Sequence, residues 1–402
     1  MSPRAYFAAA AARARPLGVG NPVLLSLCFA AVLAVVCGGF VSYAPNRLVS
    51  GRAIALWAAV PGSAGAGIAA LAAALLAASL ATPRRVLQCG VLALAAALLL
   101  LVLAAVGEAA HRITAAAPVA ARVSPAAAFW IVAICAALAI GDALQRLGAG
   151  PAARLGVAAA IVGAALALAF FGWLDALSLA REYASRRQVF GAALARHIML
   201  VAGAVGPALA IGFPLGIGVA KFPRWQEPVF AVLNTLQTVP SVALFGLLIA
   251  PLSALATAVP ALSALGVAGI GPAPAIIALV LYALLPVVRN TAAGIAGVDP
   301  AVVEAARGMG MTPRQLLARI ELPLAVPVLL AGLRIVVVQA IGLAVVAALI
   351  GAGGLGSFVF EGLGQDAIDL VLLGALPAIL LALAADFLMH GLTALLPRRA
   401  EP

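Results

Sequence analysis

The chain has 402 residues, 65% of them hydrophobic and 9% charged, with a formal net charge of +11 and a mean hydropathy of +1.20. Soluble domains carry about 45–50% apolar and about 25% charged residues, so this composition excludes a soluble globular protein and specifies an integral membrane protein. The positive charge would suggest nucleic acid in a soluble chain; here it comes from arginines set between apolar runs and belongs to the membrane surface.

A helix needs about 20 apolar residues to cross the hydrocarbon layer. Ten stretches qualify: 22–41, 62–81, 86–106, 126–144, 154–174, 197–220, 228–251, 274–294, 326–349 and 367–390. The first follows Arg4, Arg13 and Arg15, as a signal peptide's apolar run would. It is long enough to span and has no convincing cleavage site, so it reads as a retained helix. Alanine and glycine fill most of the runs, which suits close helix packing in lipid. The expected fold is all-α.

Orientation follows from the arginines and the single lysine. With both termini in the cytoplasm, the inner segments hold fifteen of the 24 basic residues and the outer ones eight, while Arg334 lies inside a span. The exception is the basic stretch 181–196, placed outside. An interfacial amphipathic helix with Leu177, Tyr183 and Phe190 on one side would account for it, as would a miscounted crossing.

That stretch also divides the chain. Five spans precede it, as an N-terminal extension over 1–175. A polar linker or interfacial helix follows over 176–196, then a second five-span region over 197–402. The first five spans carry few polar groups. The last five carry Asn234, Gln237, Thr238, Tyr282, Arg334, Gln339 and Asp386. Polar groups at membrane depth are expensive and mark pathways or helix contacts. Asn234, Gln237, Thr238, Tyr282 and Gln339 are therefore the candidates to line a pathway. The extension is expected to regulate, stabilise or anchor.

The longest inner loop, 299–323, contains "VEAARGMGMTPRQLLARIELP" from Val303 to Pro323. Asp299-Pro300 signals a helix start, with a capping side chain and a proline in the first turn. Gly310 suits the left-handed residue that ends that helix. Thr312-Pro313-Arg314-Gln315 signals a second start. The loop reads as a helix–turn–helix elbow at the membrane surface.

Glu304-Ala305-Ala306, three residues, Gly310, nine residues and Ile320-x-Leu322-Pro323 resemble the cytoplasmic signature of the membrane subunits of ATP-binding-cassette importers. The resemblance implies that Glu304, Ala305, Ala306, Gly310, Ile320, Leu322 and Pro323 form a coupling helix seated on an ATPase subunit. "NTLQTVPSVALFGLL", "ALVLYALLPVVRNTAAGI", "LAGLRIVVVQAIGLAVVAALIGAGGLGSFVFEGL" and "LLGALPAILLALAADFLM" resemble the osmoprotectant permease branch, which takes up glycine betaine, choline and related quaternary amines. The likeness covers about 190–402. It implies a type I importer permease core, similar to that of the methionine importers. A longer osmoprotectant permease type with extra N-terminal helices is similar to the whole.

Other signals carry less. Gly351, Gly353 and Gly356 spell GxGxxG, but a span precedes them where a dinucleotide site needs a strand, so a tight turn is expected. A phosphate-binding loop needs GK[ST], and Lys221 is the sole lysine, within "VAKFP". No HExxH or GxSxG occurs. Cys28, Cys37, Cys89 and Cys135 form no CxxC pair and read as small buried residues. His111, His197 and His390 have no ligand spacing, and no metal is expected. Trp57, Trp130, Trp173 and Trp225 form no aromatic cage for a quaternary ammonium.

The expected protein has no catalytic activity or cofactor of its own, with ATP bound by a partner. It is the permease subunit of a binding-protein-dependent ATP-driven importer in the bacterial inner membrane. Its expected partners are cytoplasmic ATPase subunits, a second permease, an extracytoplasmic binding protein and the bilayer, with no nucleic acid. A methionine or other amino-acid importer permease is the alternative within the class. An ion-driven secondary carrier is the alternative outside it, although the halves show no repeat.

Overall fold

The computed structural model describes residues 20–46, 49–264 and 266–394. Arg4, Arg13, Arg15, Arg47, Arg398 and Arg399, all used in the orientation count, lie outside them. The chain divides into two compact units at the Arg181–Glu182 junction.

The first unit holds α1 (Pro22–Cys37), β1 (Val41–Ala44), β2 (Arg52–Ile54), α2 (Leu56–Ala59), α3 (Ser63–Leu80), α4 (Arg85–Ala115), β3 (Arg122–Pro125), α5 (Ala127–Arg146) and α6 (Pro151–Phe170). On α4, Val91, Ala95, Leu98, Val102, Ala105 and Ala109 are buried. Their three- and four-residue spacing puts them on one face. α4 packs on α3 and α5, and α5 packs on α1. α6 has no buried residue, so its apolar surface is free for lipid.

A three-stranded antiparallel sheet in the order β2-β1-β3 departs from the all-α expectation. Val41 pairs with Ile54 on one side and with Pro125 on the other. The strands are three or four residues long, too short for an alternation signal. They also shorten the first expected crossing. α1 stops at Cys37 after 16 residues, because the chain turns through Gly38-Gly39 into β1. The other end of the unit is tied by Asn21, which caps α1, donates to Asp142 at 2.7 Å and accepts from Arg146 at 2.9 Å.

α7 (Ser178–Ser185) bridges the junction. The second unit continues with α8 (Arg187–Lys221), α9 (Pro223–Thr238), α10 (Ser241–Ala258), α11 (Pro260–Ala264), α12 (Pro272–Ala296), α13 (Pro300–Gly308), α14 (Pro313–Leu316), a π-helical turn (Leu317–Glu321), α15 (Leu322–Val346), a 3-10 turn (Ala347–Ile350), α16 (Gly356–Gly364) and α17 (Ile368–Ala394). α12 is the central helix, packed on α8, α9, α10 and α15. Among the described residues, nine helices are long and apolar enough to cross a membrane, and α1 is a shorter apolar helix.

Two expectations change here. Residues 187–196, expected in a polar linker, are the first turns of α8. The crossing expected at 228–251 is broken at Val239-Pro240 into α9 and α10. A residue before proline is pushed out of the helical region, and Val239 has φ −69° and ψ 126°.

α8 also shows which ends of this unit are opposite. Near its start, Arg196 Nε donates to Ala352 O at 3.1 Å; at its end, Lys221 pairs with Glu321. The 25 residue steps from Arg196 to Lys221 span about 38 Å at the α-helical rise, more than the roughly 30 Å of hydrocarbon. The glycine turn after α15 and the elbow 299–323 therefore lie on opposite sides of the apolar layer.

Candidate functional site

The elbow is built by local caps. Asp299 Oδ1 accepts from Ala301 N at 2.9 Å, and Pro300 fills the first turn of α13. Gly310 ends that helix at φ +80°, a conformation that L side chains avoid. Thr312 and Gln315 then cap α14 reciprocally, with Thr312 N donating to Gln315 Oε1 at 2.9 Å. Pro323 has no N–H for the carbonyl four residues back. The chain passes through the π turn instead, where Leu322 N bonds Leu317 O.

Ala306 and Leu316 are buried, while Glu304, Ala305, Arg307, Met309 and Gly310 are exposed. Met309 is 71% exposed, an apolar tip on a polar loop. Ile320 and Leu322 are half-buried and Pro323 is exposed where the loop rejoins α15. The seven expected coupling residues thus fall on one continuous segment. Glu304 and Gly310 are on its open surface, and Ala306 is inside it.

Beneath the elbow lies a contact that no local signal announces. Glu321 is 4% exposed, and its carboxylate is held by Lys221, the chain's only lysine. The pair joins the end of α8 to the last turn before α15.

Four of the five candidate pathway residues gather around the broken helix. Gln237 donates to Tyr282 O at 2.6 Å, and the Tyr282 hydroxyl donates to Val239 O. The carbonyl freed by the break is satisfied in this way, as a buried backbone group requires. Asn234 Oδ1 accepts from Arg289 at 3.1 Å, and Thr238 bonds back to Thr235 O. Tyr282 is buried and Gln237 half-buried, so both brace the break. Gln339 is half-buried on α15 and makes no side-chain hydrogen bond among the described residues.

A cavity of about 180 Å³ lies elsewhere, between α8, α12 and α15, lined by Phe213, Asn290, Thr291, Gly332 and Leu333 among others. None of the five candidates borders it. Asn290 and Thr291 follow Arg289 near the end of the expected crossing 274–294 and are not among the five candidates.

The two charges noted within spans, Arg334 and Asp386, are partners. The guanidinium grips the carboxylate through Nε and through Nη2, the latter at 2.9 Å. A bidentate pair lowers the cost of both charges at membrane depth.

Three of the four arginines in the basic stretch that departs from the orientation rule, all but Arg187, have partners within the fold. Arg186 bridges Glu182 and Glu361, each at 2.8 Å, and Arg196 bonds the glycine turn. The bond to Glu361 holds the Arg186 guanidinium above its ordinary range. Arg181 donates to the carbonyls of Val119 and Ala121. These arginines are consumed by structure. The turn itself has Gly351, Gly353 and Gly354 at positive φ, and a Cβ at Gly354 would press on the His197 ring. Of the cysteines, Cys28 and Cys135 are buried as expected, whereas Cys37 and Cys89 are exposed.

Apolar helices of membrane-crossing length, with a capped polar elbow at one end and polar groups spent on helix braces, define a polytopic membrane protein. Residues 212–401 match the family described as binding-protein-dependent transport system inner membrane component, and residues 17–180 match the N-terminal domain of the ABC transporter permease YehY. The carnitine transport permease protein OpuCB of Listeria monocytogenes is 42% identical over 179 residues, 44% of this chain and 75% of that protein. The osmoprotectant import permease protein OsmW of Salmonella typhimurium is 43% identical over 185 residues, 46% of this chain and 81% of that protein. A solved inward-facing structure of the MetNI methionine ABC transporter covers 53% of this chain and 99% of its own, at 21% identity and a TM-score of 0.47. The chain belongs to the family of ABC transporter permeases, as the membrane component of a binding-protein-dependent transport system. The extra N-terminal unit and the permease family region are both accounted for by known domains.

Proposed function

We propose that this permease imports an osmoprotectant quaternary amine, such as glycine betaine, choline or carnitine, delivered by a separate extracytoplasmic binding protein. The elbow 299–323 is the docking lever for a cytoplasmic ATPase subunit, which binds and hydrolyses the ATP. Two permeases pair to enclose the pathway. The carrying observation is the elbow: an exposed, rigidly capped helix pair at the end of the unit opposite the glycine turn, with Glu304 and Met309 open to a partner. The substrate class is supported by the relatives above, and by the choline transport system permease protein OpuBD of Bacillus subtilis at 39% identity.

Calorimetry on the partner binding protein tests the substrate. Glycine betaine, choline or carnitine is expected to give saturable heat and methionine none; a response to methionine alone assigns the chain to the amino-acid importers instead.

In this reading the elbow and both termini are cytoplasmic. A reporter active only outside the cytoplasmic membrane should be silent when fused after the C-terminus and active when inserted at Gly353. Activity at both positions contradicts the arrangement.

A further inference from the structure

The end of the first unit opposite its sheet carries a cavity of about 510 Å³, lined by Pro83, Arg84, Arg85, Gln88, Arg146 and Leu147. Arg84 and Arg85 have no side-chain partner among the described residues. At the sheet end, by contrast, Arg112 is bonded to Ala59 O and Arg181 to Val119 O and Ala121 O. Arg146 forms a wall of the cavity and is itself held by Asp142 at 2.7 Å and by Asn21. Its charge is therefore compensated, and two positive charges remain uncompensated.

Two further features point to a ligand. α4 starts here with no side-chain cap, so the first N–H groups of a 31-residue helix open at this end. Gln88, 4% exposed, lines the cavity, and its Oε1 is buried with no hydrogen-bond partner. Buried polar groups are nearly always paired with protein or ordered water, so this oxygen calls for a donor from outside the chain, which a water or a ligand hydroxyl provides.

We propose that this cavity binds a phosphate ester bearing a free hydroxyl group. Arg84 and Arg85 take the phosphate oxygens, for which a guanidinium fork is suited. The open helix start adds backbone donors and a favourable field. The hydroxyl donates to Gln88 Oε1. A phosphate diester without a hydroxyl satisfies the arginines and leaves that oxygen unpaired. The site sits where apolar helices end, the depth at which lipid headgroups lie. A glycerol-phosphate headgroup and a soluble glycerol phosphate share this chemistry.

The test uses the full-length chain, purified in detergent and examined by native mass spectrometry. It is titrated with phosphatidylglycerol, with phosphatidylmethanol (equal charge, no hydroxyl) and with phosphatidylcholine. Wild type should retain phosphatidylglycerol most tightly. Arg84→Gln/Arg85→Gln should weaken that retention about thirtyfold, from about fivefold per arginine near a membrane surface. Gln88→Met should erase the preference for phosphatidylglycerol over phosphatidylmethanol while leaving the anion preference in place. The control Arg187→Gln/Arg224→Gln removes the same charge elsewhere and should change nothing. Competition by glycerol phosphate identifies a soluble ligand; its absence identifies the lipid, and both keep the site. Equal loss in the control, no loss in the arginine pair, or an unchanged headgroup preference in Gln88→Met overturns the proposal. If the arginine pair misfolds, as a melting curve will show, Gln88→Met still decides.

Discussion

Gly310→Val is expected to cut co-purification of the ATPase and substrate-stimulated hydrolysis by about tenfold or more. The reason is backbone geometry. Gly310 has φ +80°, and an added Cβ would meet no neighbour. The penalty is therefore conformational, not a clash. The left-handed region costs an L residue roughly 1–2 kcal/mol, and a β-branched side chain sits at the unfavourable end. A free-energy change of about 1.4 kcal/mol is tenfold in an equilibrium, enough to displace the elbow from its docking geometry. The series should be graded. Gly310→Asn, which tolerates positive φ, should lose least, Gly310→Ala more and Gly310→Val most. Glu304→Lys, which changes only the exposed surface, should weaken docking and leave the chain's melting temperature unchanged. Wild-type hydrolysis in both Gly310→Val and Glu304→Lys would remove the elbow from the coupling route.

Lys221→Met is expected to destabilise the permease by about 3–5 kcal/mol, the usual effect of stranding a buried charge by removing its partner. Glu321 is 4% exposed and no other cation holds it in the described residues. The Lys221 side chain is 32% exposed, so water screens part of the effect and the lower end of the range applies. Lys221→Met/Glu321→Met should recover most of the loss, because two apolar side chains replace a matched ion pair at little cost. Thermal melts of the two single variants and the double variant form the cycle. A coupling near zero would mean that the ion pair contributes nothing. The same variants bear on function, because the pair links α8 to the turn that carries the elbow. In the singly substituted proteins, substrate-stimulated hydrolysis should fall further than basal hydrolysis.

The helical class, the ten apolar runs and the cap chemistry of the elbow were legible because each is written in neighbouring residues. Hydropathy is a property of a window of about 20 residues. The caps at Asp299, Gly310 and Thr312–Gln315 are bonds made within one turn of the chain. What tertiary structure alone decided are the contacts between residues far apart. Lys221 reaches Glu321 across 100 residues, Arg334 reaches Asp386 across 52, and Tyr282 closes the carbonyl of Val239. Nothing local distinguishes a polar side chain that will brace a neighbouring helix from one that will face a pathway, so Gln237 and Tyr282 could be noticed in sequence but not placed. The break before Pro240 did have a local signal, yet apolar residues run through it, and hydropathy cannot separate one crossing from two helices laid end to end. The small sheet joins strands too short to show a period, and β1 and β3 are brought together only by the packing of α3 on α4, which lie between them in sequence order. Composition and local bonding decided that this chain is a helical membrane protein with a capped elbow, and resemblance alone made it a permease; only packing decided which of its few charges are spent on structure and which, at Arg84, Arg85 and Glu304, stay available to a partner.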